Sequence, residues 1–263
     1  MPPRAELITE TAGAQTLRRG LGILKLLARY QPGGLGVSDI ARKLELNKAT
    51  AVRLTRTLMD EQFVAQDAVT RRYQLGPESF AIGLAAEPNY ALQRIAAPAL
   101  RALALETGDW LFFTVRHELE AICLSRESGD IPYPAASLQV GDRHPLGLGA
   151  GGLAILAAMP DEEAERILKI NIPEIGRRYP QMTEEALRKL IAETREQGYA
   201  VIPGTLAPGF WGIGVPVLRD GQPVAAIVLN ASAVRLSAAR QAVIAARLQK
   251  VSRDLMLAPS KES

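Results

Sequence analysis

The stretch SDIARKLELNKATAVRLTRTL, residues 38–58, restricts the fold more than any other segment of the chain. Ser38 is placed to cap a short helix ending at Leu44, with Ala41 and Leu44 inward. Glu45, Leu46 and Asn47 leave room for a tight turn, and Asn47 can cap a second helix from Lys48 to about Glu61. Helices joined this closely must cross, and Ala41 supplies the small residue a crossing needs. The expected inward stripe of the second helix is Val52 and Leu58, with Ala51 and Thr55 nearby. Lys48, Ala49, Thr50, Arg53 and Arg56 then point outward. Such a face suits a DNA major groove, where arginine pairs bidentately with guanine and Thr or Ala can touch a thymine methyl.

Charge separates this region from the rest. Between Ala14 and Leu75 eleven bases face five acids, whereas from Ala91 onward 19 bases face 19 acids. A basic head on a neutral body points to a polyanionic partner for the head alone. With 48% hydrophobic residues the body can bury a sizeable core. No apolar run reaches the roughly 18 residues of a membrane span, and Met1–Ala14 has no signal-like apolar core, so a soluble, cytoplasmic protein is expected. The single cysteine, Cys123, sits among Ala121, Ile122 and Leu124 and reads as a buried structural thiol.

Ahead of the pair, Gln15 to Tyr30 has helical apolar spacing and stops at Gln31-Pro32-Gly33-Gly34. After it, 63–65 and 73–75 read as paired strands around a polar tip, Asp67–Arg72, where Arg71 and Arg72 could hold phosphates or reach a minor groove. Pro77 to Glu87 reads as a linker helix. The organisation expected is a winged helix-turn-helix over 14–75, a linker helix over 76–90 and a second domain over 91–258. In the second domain a helix from Ala91 to Glu106, interrupted at Pro98, precedes a hairpin of 111–116 and 121–126. One strand near Ala135–Val140 is expected in the Gly/Pro-rich stretch that follows. Helices at 150–158, 161–169 and 183–197 lead to strands at 199–202, 212–218 and 223–231, and Ser237 caps a final helix to about Leu257. Antiparallel strands flanked by helices make this an α+β fold.

In this order and spacing the segments resemble the IclR family of bacterial transcriptional regulators, from Thr16 to Leu257. TLRRGLGILKLLA resembles its first helix, GVSDIARKLELNKATAVRLTRTLMDEQFVAQD its winged helix-turn-helix, and RRYQLGPESFAIG its wing strand and linker helix. GDRHPLGLGAGGLAILAAM and GYAVIPGTLAPGFWGIGVPVLRDGQPVAAIVL are similar to its effector-pocket helix and closing sheet. The resemblance implies a homodimer or homotetramer with a GAF-like effector domain, binding a DNA operator and a small organic or aromatic acid, without a cofactor. Ser38 joins Lys48, Ala49, Thr50, Arg53, Arg56, Arg71 and Arg72 as the candidate DNA contacts.

By the same resemblance the pocket positions fall on Tyr133, Ala136, His144, Ala150, Gly151, Ile202, Phe210, Gly212, Val228 and Asn230. Ile202, Gly212, Val228 and Asn230 depart from relatives that bind small keto acids, being less hydroxylic and richer in carbon. That favours a carboxylate with an apolar or aromatic body, because unpaired polar ligand atoms would lose solvation. The carboxylate would meet the Ala150, Gly151 and Gly152 amides at a helix start, with His144 or Arg143 nearby. His144 reads equally as a partly exposed loop residue, and the glycines equally as packing positions. Gly147, Gly149 and Gly152 match a dinucleotide fingerprint, but that fingerprint needs a preceding strand, a βαβ unit and an acid about 20 residues later; here Arg143-His144-Pro145 precede and a further helix follows instead of a strand, which argues against a nucleotide. The apolar faces carrying Leu21, Leu24, Phe80 and Leu84 serve either a dimer contact or packing within one chain.

An enzyme is the competing class. No Gly-x-Ser-x-Gly elbow or Walker loop is present, and His117 and His144 alone supply a metal or triad poorly, so no catalytic or metal-binding residue is expected. A sequence-indifferent DNA binder would leave the large neutral domain without a role. The reading is a sequence-specific transcriptional regulator modulated by a small molecule.

Overall fold

The computed structural model describes residues 12–86, 91–130, 138–204 and 208–257, in two compact units divided between Asn89 and Tyr90. In the first unit α1 (Ala12–Ala28), α2 (Val37–Lys43) and α3 (Lys48–Asp60) precede β1 (Val64–Gln66), β2 (Tyr73–Leu75) and α4 (Pro77–Ala86). Ile23 and Leu27, one turn apart on α1, meet Leu35, Ile40, Leu54 and Val64 in its core. Asn47 caps α3 as its side chain suggests, accepting from the Thr50 N–H at 2.7 Å.

Two expectations are corrected here. Ser38 is not the cap of α2. Gly36 is, in extended conformation, its carbonyl accepting from Asp39 and Ile40, and Ser38 lies exposed in the first turn. The inward stripe of α3 is Ala51, Leu54 and Thr55, with Leu58 half-buried, and Val52 points outward. The stripe is rotated because Ala51 must seat against the other helices, and Leu54 rather than Val52 follows it at helical spacing.

In the second unit α5 (Ala91–Thr107) leads to β3 (Trp110–His117), β4 (Glu120–Glu127) and β5 (Arg143–Pro145). Helices α6 (Gly149–Ala157), α7 (Asp161–Arg178) and α8 (Glu184–Gln197) follow, then β6 (Ala200–Pro203), β7 (Phe210–Arg219), β8 (Gln222–Ser232) and α9 (Ala238–Leu257). The six strands form one antiparallel sheet in the order β5-β4-β3-β8-β7-β6. Alternation gives it two buried faces. Leu111, Phe113, Ile213, Val215, Ile227 and Leu229 pack with Leu100 of α5 and Leu248 of α9. Phe112, Cys123 and Val228 face the other way, against Ala150 of α6. Asp220 and Gly221 both have positive φ, 50° and 75°, as a two-residue turn between β7 and β8 requires.

Neither Pro98 nor Pro173 ends its helix, so α5 runs through the interruption expected at Pro98 and α7 runs well past Lys169. A proline removes one helical hydrogen bond, and that loss is offset by burial of Leu100 and Ala104 on α5 and of Ile167, Leu168 and Ile175 on α7. The strand expected near Ala135–Val140 lies half outside the described residues, and its described half, 138–140, is not strand. The third strand of this region is β5 instead. Among the described residues no helix is long and apolar enough to cross a membrane.

Candidate functional site

The outer face of α3 is the first candidate surface. Lys48, Ala49, Arg53 and Arg56 are exposed, and Thr50 is half-buried beside the Asn47 cap. Glu45 turns the chain between α2 and α3 with a φ of 52°, while Leu46 tucks toward the core and donates its N–H to the Ala41 carbonyl at 2.8 Å. The turn thus fixes the angle at which α3 is presented.

The tip between β1 and β2 is organised by Asp67, whose carboxylate accepts from the Thr70 N–H (2.6 Å), the Thr70 hydroxyl (2.7 Å) and the Val69 N–H (3.1 Å). The Thr70 N–H first, then its hydroxyl, hold that carboxyl below its ordinary range. Arg71 is exposed with a φ of 57°, and its carbonyl accepts from Gln66 at 2.9 Å. Arg72 is tied back to the fold: its Nε and Nη2 donate to the Gly34 carbonyl at 3.2 and 3.0 Å. Leu35 beside it exchanges both backbone hydrogen bonds with Tyr73, a bridge for which the sequence offers no local signal.

The second candidate is a cavity between α6 and the sheet, about 600 Å³ with its solvent mouth included. His144, Ala150, Gly151, Gly152, Ile202, Phe210, Gly212, Val228 and Asn230, all candidate pocket residues, line it. Tyr133 and Ala136 lie outside the described residues. Arg143 is corrected. Neighbours on a strand face opposite sides, so His144 turns into the cavity while Arg143 turns out and pairs with Glu120 at 3.1 Å. Thr114, Ala121, Cys123, Leu138, Leu148 and Gly149 also line the cavity and were not expected. Strand alternation on β3 and β4 would have nominated Thr114 and Cys123 once the facing helix was known.

Glycines let α6 lie directly on the sheet. A Cβ at Gly214 would stand 2.2 Å from the Ala150 carbonyl oxygen, and one at Gly151 would stand 2.6 Å from the Thr114 hydroxyl. Gly147 and Gly149 adopt φ of 100° and 70° on the approach to α6, so their role in the apparent fingerprint is backbone geometry. Leu148 precedes the helix without any side-chain cap, and Ala150, Gly151 and Gly152 of its first turn line the cavity. Such a turn has backbone N–H groups without intrahelical partners and can hold an anion. Asn171 of α7 braces the approach, donating to the carbonyls of Leu119 (2.9 Å) and Leu146 (3.0 Å).

Cys123 is fully buried in the cavity wall. Burial first, then the charge of Asp142, pushes its thiol up to about 12, so it stays protonated and inert. On β4 the Arg126 guanidinium stacks on Trp110 at 4.2 Å and reaches the Gln139 side chain. Behind the sheet the buried carboxylate of Asp109 accepts from Arg235 (3.1 Å) and Arg240 (2.6 Å), tying the start of β3 to the region before α9 and its first turn. Among the described residues no cluster of His, Cys, Asp and Glu could hold a metal.

Two family models match the chain: the IclR helix-turn-helix domain over residues 16–68, and the C-terminal domain of bacterial IclR transcriptional regulators over residues 86–257. The HTH-type transcriptional repressor AllR of Salmonella paratyphi A is 32% identical over 234 residues, 87% of this chain and 84% of its own. AllR of Escherichia coli K12 is 29% identical over 259 residues, 98% of this chain and 94% of its own. An IclR-type regulator from Alicyclobacillus acidocaldarius has a TM-score of 0.70 at 26% identity, covering 92% of this chain and 97% of its own. An IclR homologue from Microbacterium hydrocarbonoxydans, complexed with 4-hydroxybenzoate, shares the fold with a TM-score of 0.70 at 22% identity over 92% of this chain and 97% of its own.

Proposed function

The protein belongs to the IclR family of bacterial transcriptional regulators, and from that premise we propose how its two units divide the work: α3 reads an operator, and the α6 cavity takes the small molecule that sets operator affinity. The observation that carries this is the outward face of α3, where Lys48, Ala49, Arg53 and Arg56 stand exposed opposite a stripe committed to the core. Arg53 and Arg56 are assigned to guanine edges, with Ser38, Lys48, Thr50, Arg71 and the remaining donors of Arg72 on or near the phosphates.

The effector is assigned as an organic acid with an apolar or aromatic body. Its carboxylate would rest on the first turn of α6, near His144 and Asn230, and its body against Ile202, Phe210 and Val228, which supports this class over a small keto acid. The cavity binds and releases its ligand unchanged, with no cofactor. The ligand acts only through different affinities for two arrangements of the heads.

The protein acts in the cytoplasm as a dimer or tetramer whose paired heads meet half-sites one or more helical turns apart. Exposed Leu17 and Leu21 on α1 and Phe80, Ile82 and Leu84 on α4, where no residue is buried, support a second copy as the cover for these faces. Leu24 is half-buried against the core and contributes less.

Gel retardation on the protein's own upstream DNA, against random duplex, tests the reading, with 4-hydroxybenzoate and short keto acids as effector probes. Retention of the upstream fragment in preference to random duplex, altered by an aromatic acid that also raises the thermal midpoint, is expected. Equal retention of both duplexes contradicts operator reading, and stabilisation by keto acids alone contradicts the effector class.

A further inference from the structure

Val52 is 46% exposed on α3, outside the buried stripe of Ala51, Leu54 and Thr55. A single exposed valine is ordinary on a protein surface; its position here is not neutral. Ala49, Val52, Arg53 and Arg56 stand at i, i+3, i+4 and i+7, so they share one face of the helix. The only acid in α3 is Asp60, its last residue, so around Val52 the helix offers cations and carbon. That charge pattern fits a polyanion rather than an apolar protein surface. Val52 is also the fifth residue of the helix, in the half that reaches base edges when such a helix enters a groove.

A valine side chain has no donor or acceptor. Laid on the edge of guanine, cytosine or adenine, it strips water from polar groups without replacing their hydrogen bonds. The one apolar feature of a major-groove edge is the thymine 5-methyl group. We infer that Val52 is a sequence-reading residue that packs on a thymine methyl in each half-site, beside the guanines read by Arg53 and Arg56. This rests on α3 lying in the major groove.

The full-length protein first selects its half-site from a random duplex pool, and each thymine in that half-site is then replaced singly by deoxyuridine, which removes only the methyl. At one position per half-site the wild-type protein loses about fourfold in affinity, the worth of one methyl-sized group leaving water. Val52→Ala binds the thymine and deoxyuridine forms of that position equally, and matches wild type in its response at every other thymine. Because Val52 is exposed, the variant keeps the wild-type thermal midpoint or exceeds it, alanine being the better helix former. The inference is overturned if wild type tolerates deoxyuridine throughout, if the penalty persists in Val52→Ala, or if the half-site has no thymine. In those three cases the selected duplex is still retained and the DNA-binding reading stands; a protein that selects no duplex removes both.

Discussion

In the first unit, the residues proposed to touch a partner and the residues that hold the fold lie on opposite sides of α3. In the second they are largely the same residues. Ala150 and Val228 belong at once to the cavity wall and to a buried cluster with Phe112 and Cys123. Arg53 and Arg56 are exposed and belong to no buried cluster. The difference follows from the partners. A duplex is larger than the head and must be met from outside, whereas a small acid is recognised by surrounding it, which places recognition inside the core. Specificity for DNA can therefore change without cost to folding, while specificity for the effector is constrained by packing.

The largest effect that sharpens this contrast is at Cys123. Its thiol is raised from 9.0 to about 12, so at pH 8 the folded chain holds about a thousandfold less thiolate than the unfolded chain. A thiol reagent should leave the native protein unmodified and label it promptly in denaturant. The stability linked to this thiol is fully present below pH 9 and is lost as pH rises from 9 toward 12, because only the unfolded chain ionises in that window. Prompt labelling of the native protein would place the cavity wall outside the core and break the contrast.

Removing the carboxylate with Asp109→Ala leaves Arg235 and Arg240 without their buried partner, and should cost about 3 kcal/mol in a urea titration. Both arginines are partly exposed and can rehydrate, which holds the loss to the low end for a broken buried pair. Gly214→Ala drives a Cβ into the Ala150 carbonyl and should cost about 2 kcal/mol, because backbone rather than a side-chain tip must give way. A Gly214→Ala protein with the wild-type urea midpoint would mean that α6 lifts freely from the sheet.

Arg53→Ala should weaken operator binding by about 1–3 kcal/mol and relax specificity, with stability within about 0.5 kcal/mol of wild type. Equal losses on operator and random duplex would demote Arg53 to a phosphate contact. Arg71→Ala has the smallest effect: a uniform weakening across sequences, with the salt dependence shallower by about one counterion.

The element order, β5 excepted, and the cap at Asn47 were legible because they depend on neighbours in sequence. The phase of α3 was not, since the helix offers small residues on several sides and only the packed partners decide between Ala51 and Val52. Arg143 and His144 could not be sorted until β5 was known to be a strand. Thr114 and Cys123 were missed for a related reason: Cys123 of β4 lies beside Thr114, and Thr114 is on β3, whose pairing with β8 joins Phe112 to Val228 across the whole second unit. Nothing local announces such a contact. Most of the other cavity positions were reached through the family resemblance rather than through local physics.

The bridge from Leu35 to Tyr73 and the grip of Arg72 on Gly34 tie the wing to the segment that leads into α2 and α3. If α3 and the wing both meet the duplex as proposed, they do so at a set separation, and the duplex must conform to it. Base pairs between the two contact points then enter the choice of site through their stiffness, so operators should differ in affinity at steps that no side chain touches.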